Sequence, residues 1–122
     1  AWDWWIQMNI QELQLLKDYD LNIKVIIINN SFLWMVRQWQ DLFYDKNYAS
    51  TPISSPNFKG LWEAYWLVSY STDNEKGLDE ILKKEFSKRW ACLLEIKINK
   101  NEENIFPMVA PWTSLKDTLV SN

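Results

Sequence analysis

The chain has 122 residues, with 13 Lys and Arg against 16 Asp and Glu, no His, one Cys, two Gly and nine Trp. Its net charge of -3 argues against a nucleic-acid binder, which needs a basic surface to displace counterions. The absence of His excludes a Ser–His or Cys–His nucleophile and an imidazole metal site within this chain.

The lone cysteine, Cys92, excludes an internal disulfide and fits a reducing compartment. We interpret it as a small buried strand residue. The sequence has no run of about 18 apolar residues that could span a bilayer. It also begins without a basic region followed by an apolar stretch, so no secretory signal is visible. We therefore expect a cytoplasmic protein with no membrane or nucleic-acid partner.

The first part of the chain alternates between helical and strand patterns. Residues 1–7 read as a loop, and Asn9 with Glu12 resembles a capping box at the start of a helix. The β-branched run over residues 25–28 lacks alternation, which is typical of a strand buried on both faces in a parallel sheet. Apolar residues return to helical spacing over residues 32–44.

The second part of the chain continues this alternation. Its predicted elements are a loop over 45–57, a helix over 58–65, a strand over 67–70, an amphipathic helix to about Lys88, a strand over 92–98, a loop over 99–112 and a short helix over 114–120. The amphipathic helix is charged and is capped by Thr72 or Asp73. Its inward face is predicted to carry Leu78, Ile81, Leu82 and Phe86. The order predicts an α/β fold with a parallel sheet. Because about three strands are present where a doubly wound sheet has five or six, we expect a partial doubly wound parallel sheet.

Two polar positions stand out at the expected ligand-binding edge of this sheet. Asp3 leads into the first helix, and Asn29-Asn30 follows the strand over residues 25–28. Ligands of open α/β sheets bind beyond the carboxyl ends of the strands. A carboxylate and an amide oxygen beside a helix N-terminus would form a partial site for Mg²⁺ and a diphosphate. The ordinary alternative is a helix cap and a turn.

The local sequence around these positions resembles a known motif. The segment DWWIQMNIQEL that begins at Asp3, followed by IIINN at 26–30, resembles the thiamin-diphosphate motif, which runs Gly-Asp-Gly and later Asn-Asn. The stretch MVRQWQDLFY at 35–44, with Tyr48 after it, is similar to the large catalytic subunit of acetohydroxyacid synthase (acetolactate synthase). PMVAP at 107–111 matches the C-terminal segment of that family. Residues 1–122 would then be the C-terminal part of its cofactor-binding domain, without the N-terminal and middle domains.

The resemblance implies roles for individual residues. Asp3 and Asn30 would bind Mg²⁺ through side-chain oxygens, together with the backbone carbonyl of Phe32. Residues Trp4 and Trp5 would stand where backbone amides approach the diphosphate. Met8 and Met35 would line the cofactor cleft, with ordinary core packing as the alternative, and Trp39 would face the substrate channel, with packing under the following loop as the alternative. No catalytic residue is assigned within the chain. The sequence does not determine whether Arg37 lies near the substrate channel.

The reaction implied is the condensation of pyruvate with a second 2-keto acid, pyruvate or 2-ketobutyrate, with loss of CO₂. It belongs to the biosynthesis of the branched-chain amino acids isoleucine and valine. The transferase would use thiamin diphosphate and Mg²⁺, with FAD bound mainly outside this chain. The implied partners are further copies of the full-length subunit, at least a dimer, and a small regulatory subunit. We expect residues 1–122 alone to be inactive.

The tryptophans depart from this family in a consistent way. Average glycine usage is about 7%, yet the chain has two Gly in 122 residues. The family has glycine or another small residue at eight of the nine positions, namely Trp2, Trp4, Trp5, Trp34, Trp62, Trp66, Trp90 and Trp112. Our hypothesis is that codons meaning glycine have been translated as tryptophan. UGG codons at these positions would contradict it. As written, the chain is expected to bind the cofactor poorly, because an indole blocks the backbone approach or forces a φ that suits glycine.

Two other functions remain open from the sequence. One is a different thiamin-diphosphate enzyme, such as a glyoxylate carboligase or a pyruvate oxidase relative, which would share the Asp…Asn motif. The other is a non-enzymatic, tryptophan-rich binding module, although the nine Trp show no regular spacing.

Overall fold

A computed structural model of the protein describes residues 1–98 and 107–119. The helices are α1 (Asp3–Gln7), α2 (Leu13–Asp18), α3 (Trp34–Phe43), α4 (Phe58–Ala64) and α5 (Glu75–Glu85), with single 3₁₀ turns at Ile10–Glu12 and Leu115–Asp117. The strands are β1 (Lys24–Asn29), β2 (Val68–Thr72), β3 (Cys92–Lys97), β4 (Met108–Val109) and β5 (Thr118–Leu119).

The main sheet is parallel, with strand order β1-β3-β2. Strand β3 lies in the centre, where Cys92 pairs with Lys24 on one side and with Val68 on the other. Its first four residues are all buried, as expected of a strand covered on both faces. The predicted α/β fold with a parallel sheet is therefore confirmed, and the three carboxyl ends meet at one edge.

Residues 1 and 2 lie beside β1 as a short fourth segment of this sheet. The amide of Ile28 donates to the carbonyl of Ala1 at 2.8 Å, and Trp2 pairs with Ile28 in a parallel bridge. Helix α1 begins immediately afterwards at Asp3. The pairing therefore brings Asp3 to the same edge of the sheet as the residues that follow β1.

The hydrophobic core lies between the sheet and the helices α2 and α4. Its buried members are Leu13, Ile27, Phe58, Trp62, Leu67, Ala91 and Leu93. Helix α4 packs on β2 and β3, and α1 packs on β1. Each large apolar side chain buried here contributes about 1.5–3 kcal/mol. Within the part of the chain that the structure describes, every helix falls short of the length and apolar character needed to cross a membrane.

The N-terminal helix differs from its prediction. The predicted loop over residues 1–7 is wrong, because α1 occupies most of it. Asn9 makes no capping hydrogen bond, and two short helices flanking a 3₁₀ turn replace the single expected helix. The carbonyl of Trp2, held beside β1, accepts the amides of Trp5 and Ile6. A tertiary contact thus starts the helix earlier than the local sequence indicates.

Helix α5 begins and packs differently from its prediction. The cap is Asn74, whose side chain accepts the amide of Gly77 at 2.8 Å, rather than Thr72 or Asp73. Phe86, predicted to face inward, is 46% exposed. Glu85 is buried instead, because three donors surround its carboxylate.

The C-terminal part forms a small hairpin. Of the predicted loop over 99–112, residues 99–106 lie outside the described residues, and Met108–Val109 forms β4. The predicted helix over 114–120 is reduced to one 3₁₀ turn with a capping box from Ser114 and Asp117. The chain then pairs antiparallel with β4 as β5, and residue 120 lies outside the described residues.

Trp66 ends helix α4 in a backbone conformation that favours glycine. Its φ is +57°, its amide donates to Glu63, and the amide of Leu67 donates to the carbonyl of Trp62. This pair of hydrogen bonds is the Schellman motif, which most often places glycine at the left-handed position. Trp112 also has a positive φ, of +70°. Two of the tryptophans at positions where the resemblance implies glycine therefore occupy strained backbone.

We expect Trp66→Gly to raise the free energy of unfolding by about 1 kcal/mol, because a Cβ in the left-handed region costs roughly 1–2 kcal/mol and glycine loses part of this gain through unfolded-state entropy. The side chain is 75% exposed, so its removal costs little burial. Urea unfolding measures the change. Trp66→Ala is the matched control, because it removes the indole but keeps the Cβ. Equal stability of the Gly and Ala variants would contradict the assignment of strain.

Glu85 is a buried carboxylate at the opposite edge of the sheet from Asp3. It accepts hydrogen bonds from Tyr70 Oη and Lys88 Nζ at 2.8 Å each and from Trp90 Nε1 at 3.2 Å. Burial by itself would raise the pKa of Glu85, but Lys88, Tyr70 and Trp90 together hold that pKa below its usual range. The same hydrogen bond raises the pKa of Tyr70 to about 12.

We expect Glu85→Gln to lower the free energy of unfolding by about 1–3 kcal/mol at neutral pH, because it weakens hydrogen bonds to a buried charge. A lowered pKa stabilises the fold above the ordinary value for Glu, and this stabilisation is lost as the pH falls through the lowered pKa. The difference from the parent should therefore shrink on acidification. Urea unfolding between pH 7 and pH 3, with Glu80→Gln on the exposed side of α5 as control, measures it. A pH-independent difference would refute the linkage.

Candidate functional site

Asp3 is completely buried where α1 meets the carboxyl edge of the sheet. Its Oδ2 atom accepts hydrogen bonds from Ser55 Oγ at 2.8 Å and from the amide of Ser31 at 3.1 Å. Its Oδ1 atom is buried and has no hydrogen-bond partner among the described residues. A buried carboxylate oxygen without a donor is costly unless a cation or ligand completes its coordination.

Burial also shifts the ionisation of this carboxyl. Desolvation raises the pKa of Asp3, although the hydrogen bonds from Ser55 and Ser31 act in the opposite direction. Burial therefore disfavours the charged form of Asp3 in the protein without a ligand. A divalent cation at Oδ1 would favour the charged form and offset the cost of its burial.

Asn30 and Phe32 lie in the loop that leaves β1. Asn30 is buried, and its Oδ1 atom accepts the amide of Phe32 at 3.1 Å. Ser31 between them has a φ of +57°, so the chain turns sharply beside the Asp3 carboxylate. Phe32 and Pro52 form an antiparallel bridge. Its two hydrogen bonds run from the Leu33 amide to the Thr51 carbonyl and from the Ile53 amide to the Ser31 carbonyl, so the carbonyl of Phe32 takes no part in the bridge. The structure thus brings Asp3, Asn30 and Phe32 to one edge.

A second buried carboxylate stands on the far side of Asn29. Glu95 in the central strand accepts Asn29 Nδ2 at 2.7 Å and Ser71 Oγ at 2.8 Å. The other end of the Asn29 amide, Oδ1, lies 3.1 Å from the Ser31 amide and 3.3 Å from Ser55 Oγ. Asn29 therefore connects Glu95 to the same two donors that hold Asp3.

Two open clefts flank these groups. One has a volume of about 570 Å³ and is lined by Asn29, Ser31, Ile53, Ser54, Ser55, Pro56, Asn57, Glu95, Lys97 and Ile98. The other, of about 490 Å³, is lined by Trp4, Gln7, Leu33, Pro52, Ile53 and Ser54. Both include Ile53 and Ser54, so the loop before α4 lines both clefts.

Trp4 and Trp5 both lie within α1, and neither has a positive φ. The strained backbone considered for these two positions is therefore not seen. Trp4 lines the second cleft, and its ring lies 5.2 Å from that of Trp5, edge to face. The amide of Trp5 donates to the carbonyl of Trp2 at 3.1 Å. That the Trp4 indole obstructs a ligand stays a prediction.

The remaining predicted site residues are exposed to different degrees. Met8 is 66% exposed and Met35 is 54% exposed, so neither packs as an ordinary core methionine. Trp39 is 36% exposed, and its ring lies 4.9 Å from that of Phe43 on the same helix. Their roles at a cofactor or substrate stay predictions. Cys92 is buried with a free thiol, as expected.

Sequence reasoning missed three residues of this network. Ser55 lies in the predicted loop over 45–57, and its contact with Asp3 depends on the path of this long loop, which the sequence does not specify. Ser31 acts through its backbone amide, which no pattern of side chains reveals. Glu95 had a usable signal, because it is a charged residue inside the buried run of β3.

Taken together, a parallel α/β sheet carries a buried, incompletely bonded carboxylate and a buried amide at the edge where such sheets bind ligands. Residues 3–96 match the family model described as "Thiamine pyrophosphate enzyme, C-terminal TPP binding domain". The chain belongs to this family of C-terminal thiamine pyrophosphate (thiamin diphosphate) binding domains.

Curated relatives agree with the resemblance seen in the sequence. An acetolactate synthase large subunit of Lactococcus lactis is 41% identical over 104 residues, which is 84% of this chain and 18% of that protein. The acetolactate synthase large subunit of Porphyra purpurea is 39% identical over 110 residues, 88% of this chain and 18% of that protein. The acetolactate synthase of Arthrospira platensis is 37% identical over 115 residues. The chain thus spans about a fifth of the length of these relatives.

A solved structure shares the fold. The thiamine diphosphate-dependent 4-hydroxybenzoylformate decarboxylase of Rhodococcus jostii RHA1 superposes with a TM-score of 0.75 at 17% identity. The match covers 84% of this chain and 20% of that one. At this identity the likeness concerns the fold alone.

We expect the stability difference between Asp3→Asn and the parent to change with pH in the absence of metal. Because burial raises the pKa of Asp3, the parent loses stability as the pH rises from the ordinary value for Asp through the raised pKa. Asp3→Asn should lack this loss. Mg²⁺ at about 100 times its dissociation constant should then stabilise the parent by about 2.7 kcal/mol.

Urea unfolding at several pH values, with and without Mg²⁺, measures both effects. Asp18→Asn, at an exposed position of α2, controls for the change in net charge. Equal Mg²⁺ stabilisation of the parent and Asp3→Asn would show that the ion binds elsewhere.

Proposed function

We propose that this chain is the C-terminal part of the cofactor-binding domain of a thiamin-diphosphate-dependent acetolactate synthase. The enzyme would condense pyruvate with a second 2-keto acid, pyruvate or 2-ketobutyrate, and release CO₂. The observation that carries the proposal is the buried Asp3 carboxylate, one oxygen of which has no partner among the described residues. The named relatives of this domain are acetolactate synthases.

The residues present fit a bound magnesium ion and the diphosphate that accompanies it. Mg²⁺ prefers hard oxygen ligands in an octahedron, with one or two carboxylates and phosphate oxygens completing it. Asp3 offers a buried oxygen that has no donor within residues 1–98 and 107–119, and Asn30 and Phe32 offer an amide oxygen and a backbone carbonyl at the same edge. We propose that these three oxygens hold the ion.

Thiamin diphosphate would supply the electron sink for decarboxylation and for the new carbon–carbon bond. The residues of this chain would hold and orient its diphosphate end. Exposed apolar side chains lie on α3, at Met35 and Trp39, and just after α1, at Met8. There they can contact the cofactor or the 2-keto acid. Their exposed apolar surface is consistent with contact to a ligand or to a neighbouring part of the protein.

The proposal places other parts of the enzyme outside this chain. The N-terminal and middle domains, most of the FAD site and the group that activates the cofactor would lie there. Further copies of the subunit, as a dimer at least, and a small regulatory subunit are the proposed partners. The pathway proposed is isoleucine and valine biosynthesis in the cytoplasm. Residues 1–122 alone are proposed to be inactive.

The experiment is an assay of the protein expressed from its complete gene, with codons that mean glycine translated as glycine, in the presence of thiamin diphosphate, Mg²⁺ and FAD. We expect acetolactate from pyruvate, and 2-aceto-2-hydroxybutyrate when 2-ketobutyrate is added. Asp3→Ala should lower kcat/KM by about 100-fold or more, because a bound metal contributes several kcal/mol. Asp18→Ala is the exposed control.

Alternative substrates give the opposing outcomes. Turnover of glyoxylate in preference to pyruvate would identify a glyoxylate carboligase and overturn the proposal. Oxidation of pyruvate without formation of acetolactate would identify a relative of pyruvate oxidase. Acetolactate production by residues 1–122 alone would refute the proposed need for the other domains.

A further inference from the structure

Asn29 contacts the buried carboxylate of Glu95 on one side and two serines on the other, Ser31 and Ser55, and its amide can point in only one direction. Glu95 carries acceptor atoms alone, so the contact of 2.7 Å requires Asn29 to present its NH₂ group there. Oδ1 must then face the amide of Ser31, which lies 3.1 Å away. The charge on Glu95 thus determines which atom of Asn29 meets the metal-site loop.

The donors that Asn29 faces are the donors that hold Asp3. The Ser31 amide lies 3.1 Å from Asn29 Oδ1 and 3.1 Å from Asp3 Oδ2. Ser55 Oγ lies 3.3 Å from Asn29 and 2.8 Å from Asp3. Because a hydroxyl donates one proton, Ser55 donates mainly to Asp3, its shorter contact. Asn29 Oδ1 instead holds Ser31, whose hydroxyl lies 3.3 Å away and whose amide lies 3.1 Å away. With Oδ2 fixed in this way, Oδ1 is left for another ligand.

We propose that Glu95 is a positioning residue for the metal-binding carboxylate of Asp3 and that it acts through Asn29. This inference rests on the proposed function, since it assumes that the ion binds at Asp3. Glu95 itself contacts Asn29, Ser71 and, at 3.9 Å, Lys97, and it is 3% exposed. It therefore orients the site without being a ligand.

The test measures the affinity for Mn²⁺, a paramagnetic substitute for Mg²⁺, by electron paramagnetic resonance. It uses the protein expressed from its complete gene in the presence of thiamin diphosphate. Glu95→Gln is expected to weaken Mn²⁺ binding about tenfold or more, as is typical when a partner of a metal ligand is lost. Glu85→Gln is the matched control, because it makes the same change at a buried carboxylate on the opposite edge of the sheet. It should lower stability yet leave Mn²⁺ affinity within about twofold of the parent.

A double-mutant cycle separates a positioning role from a general loss of packing. Asn29→Ala should weaken Mn²⁺ binding to a similar extent as Glu95→Gln. Because Glu95 is proposed to act through Asn29, adding Glu95→Gln to Asn29→Ala should cause no further loss. If Glu95→Gln does not fold, the comparison of Asn29→Ala with Glu85→Gln still tests the link, since Asn29 is the residue through which the effect must pass.

The outcomes for the two proposals are distinct. If Asp3→Asn leaves Mn²⁺ affinity unchanged, the metal site of the proposed function is wrong. If Asp3→Asn abolishes binding while Glu95→Gln and Asn29→Ala leave it unchanged, the site stands and the positioning role is overturned. Independent, additive losses in the double mutant would likewise overturn the route through Asn29.

Discussion

The hydrogen bonds to Asp3 Oδ2 join three segments that are distant in sequence. Ser31 belongs to the loop after β1, Ser55 belongs to the loop before α4, and Asp3 itself begins α1. Each bond to an ionised, buried carboxylate contributes more than an ordinary hydrogen bond, about 1.5–3 kcal/mol. The carboxyl edge of the sheet is therefore organised around a charge that burial disfavours, and its geometry depends on how that charge is satisfied.

The parallel sheet makes this arrangement available. All three strands end at the same edge, and the segment over residues 1 and 2 adds a fourth parallel position beside β1. A helix N-terminus, a strand-end amide and a loop serine can then approach one another without any strand changing direction. Membership of the thiamine pyrophosphate enzyme family is consistent with this design, since such sheets bind ligands beyond their carboxyl ends.

The sequence predicted the parts of this fold that depend on local pattern. The β-branched run of β1 and the apolar start of β3 identified buried parallel strands because their side chains permit little else. It failed where a distant contact decides the structure. Helix α1 forms because the carbonyl of Trp2 is held beside β1, and that pairing has no local signature. Asp3 and Asn30 could be placed at one edge because the predicted parallel sheet brings strand ends together. The contact of Asp3 with Ser55 could not be predicted, because it depends on the path of a loop.

The buried carboxylates at the two ends of the sheet differ in how completely they are hydrogen-bonded. Glu85 has donors on both oxygens, from Tyr70, Lys88 and Trp90, and these hold its pKa low. Asp3 has donors on one oxygen, no partner among the described residues on the other, and a raised pKa. A fold that satisfies one buried acid fully can retain the other incompletely bonded only at a cost in stability. The proposed cation at Asp3 would return that free energy, because it would complete the coordination of the carboxylate oxygen that burial leaves without a donor among the described residues.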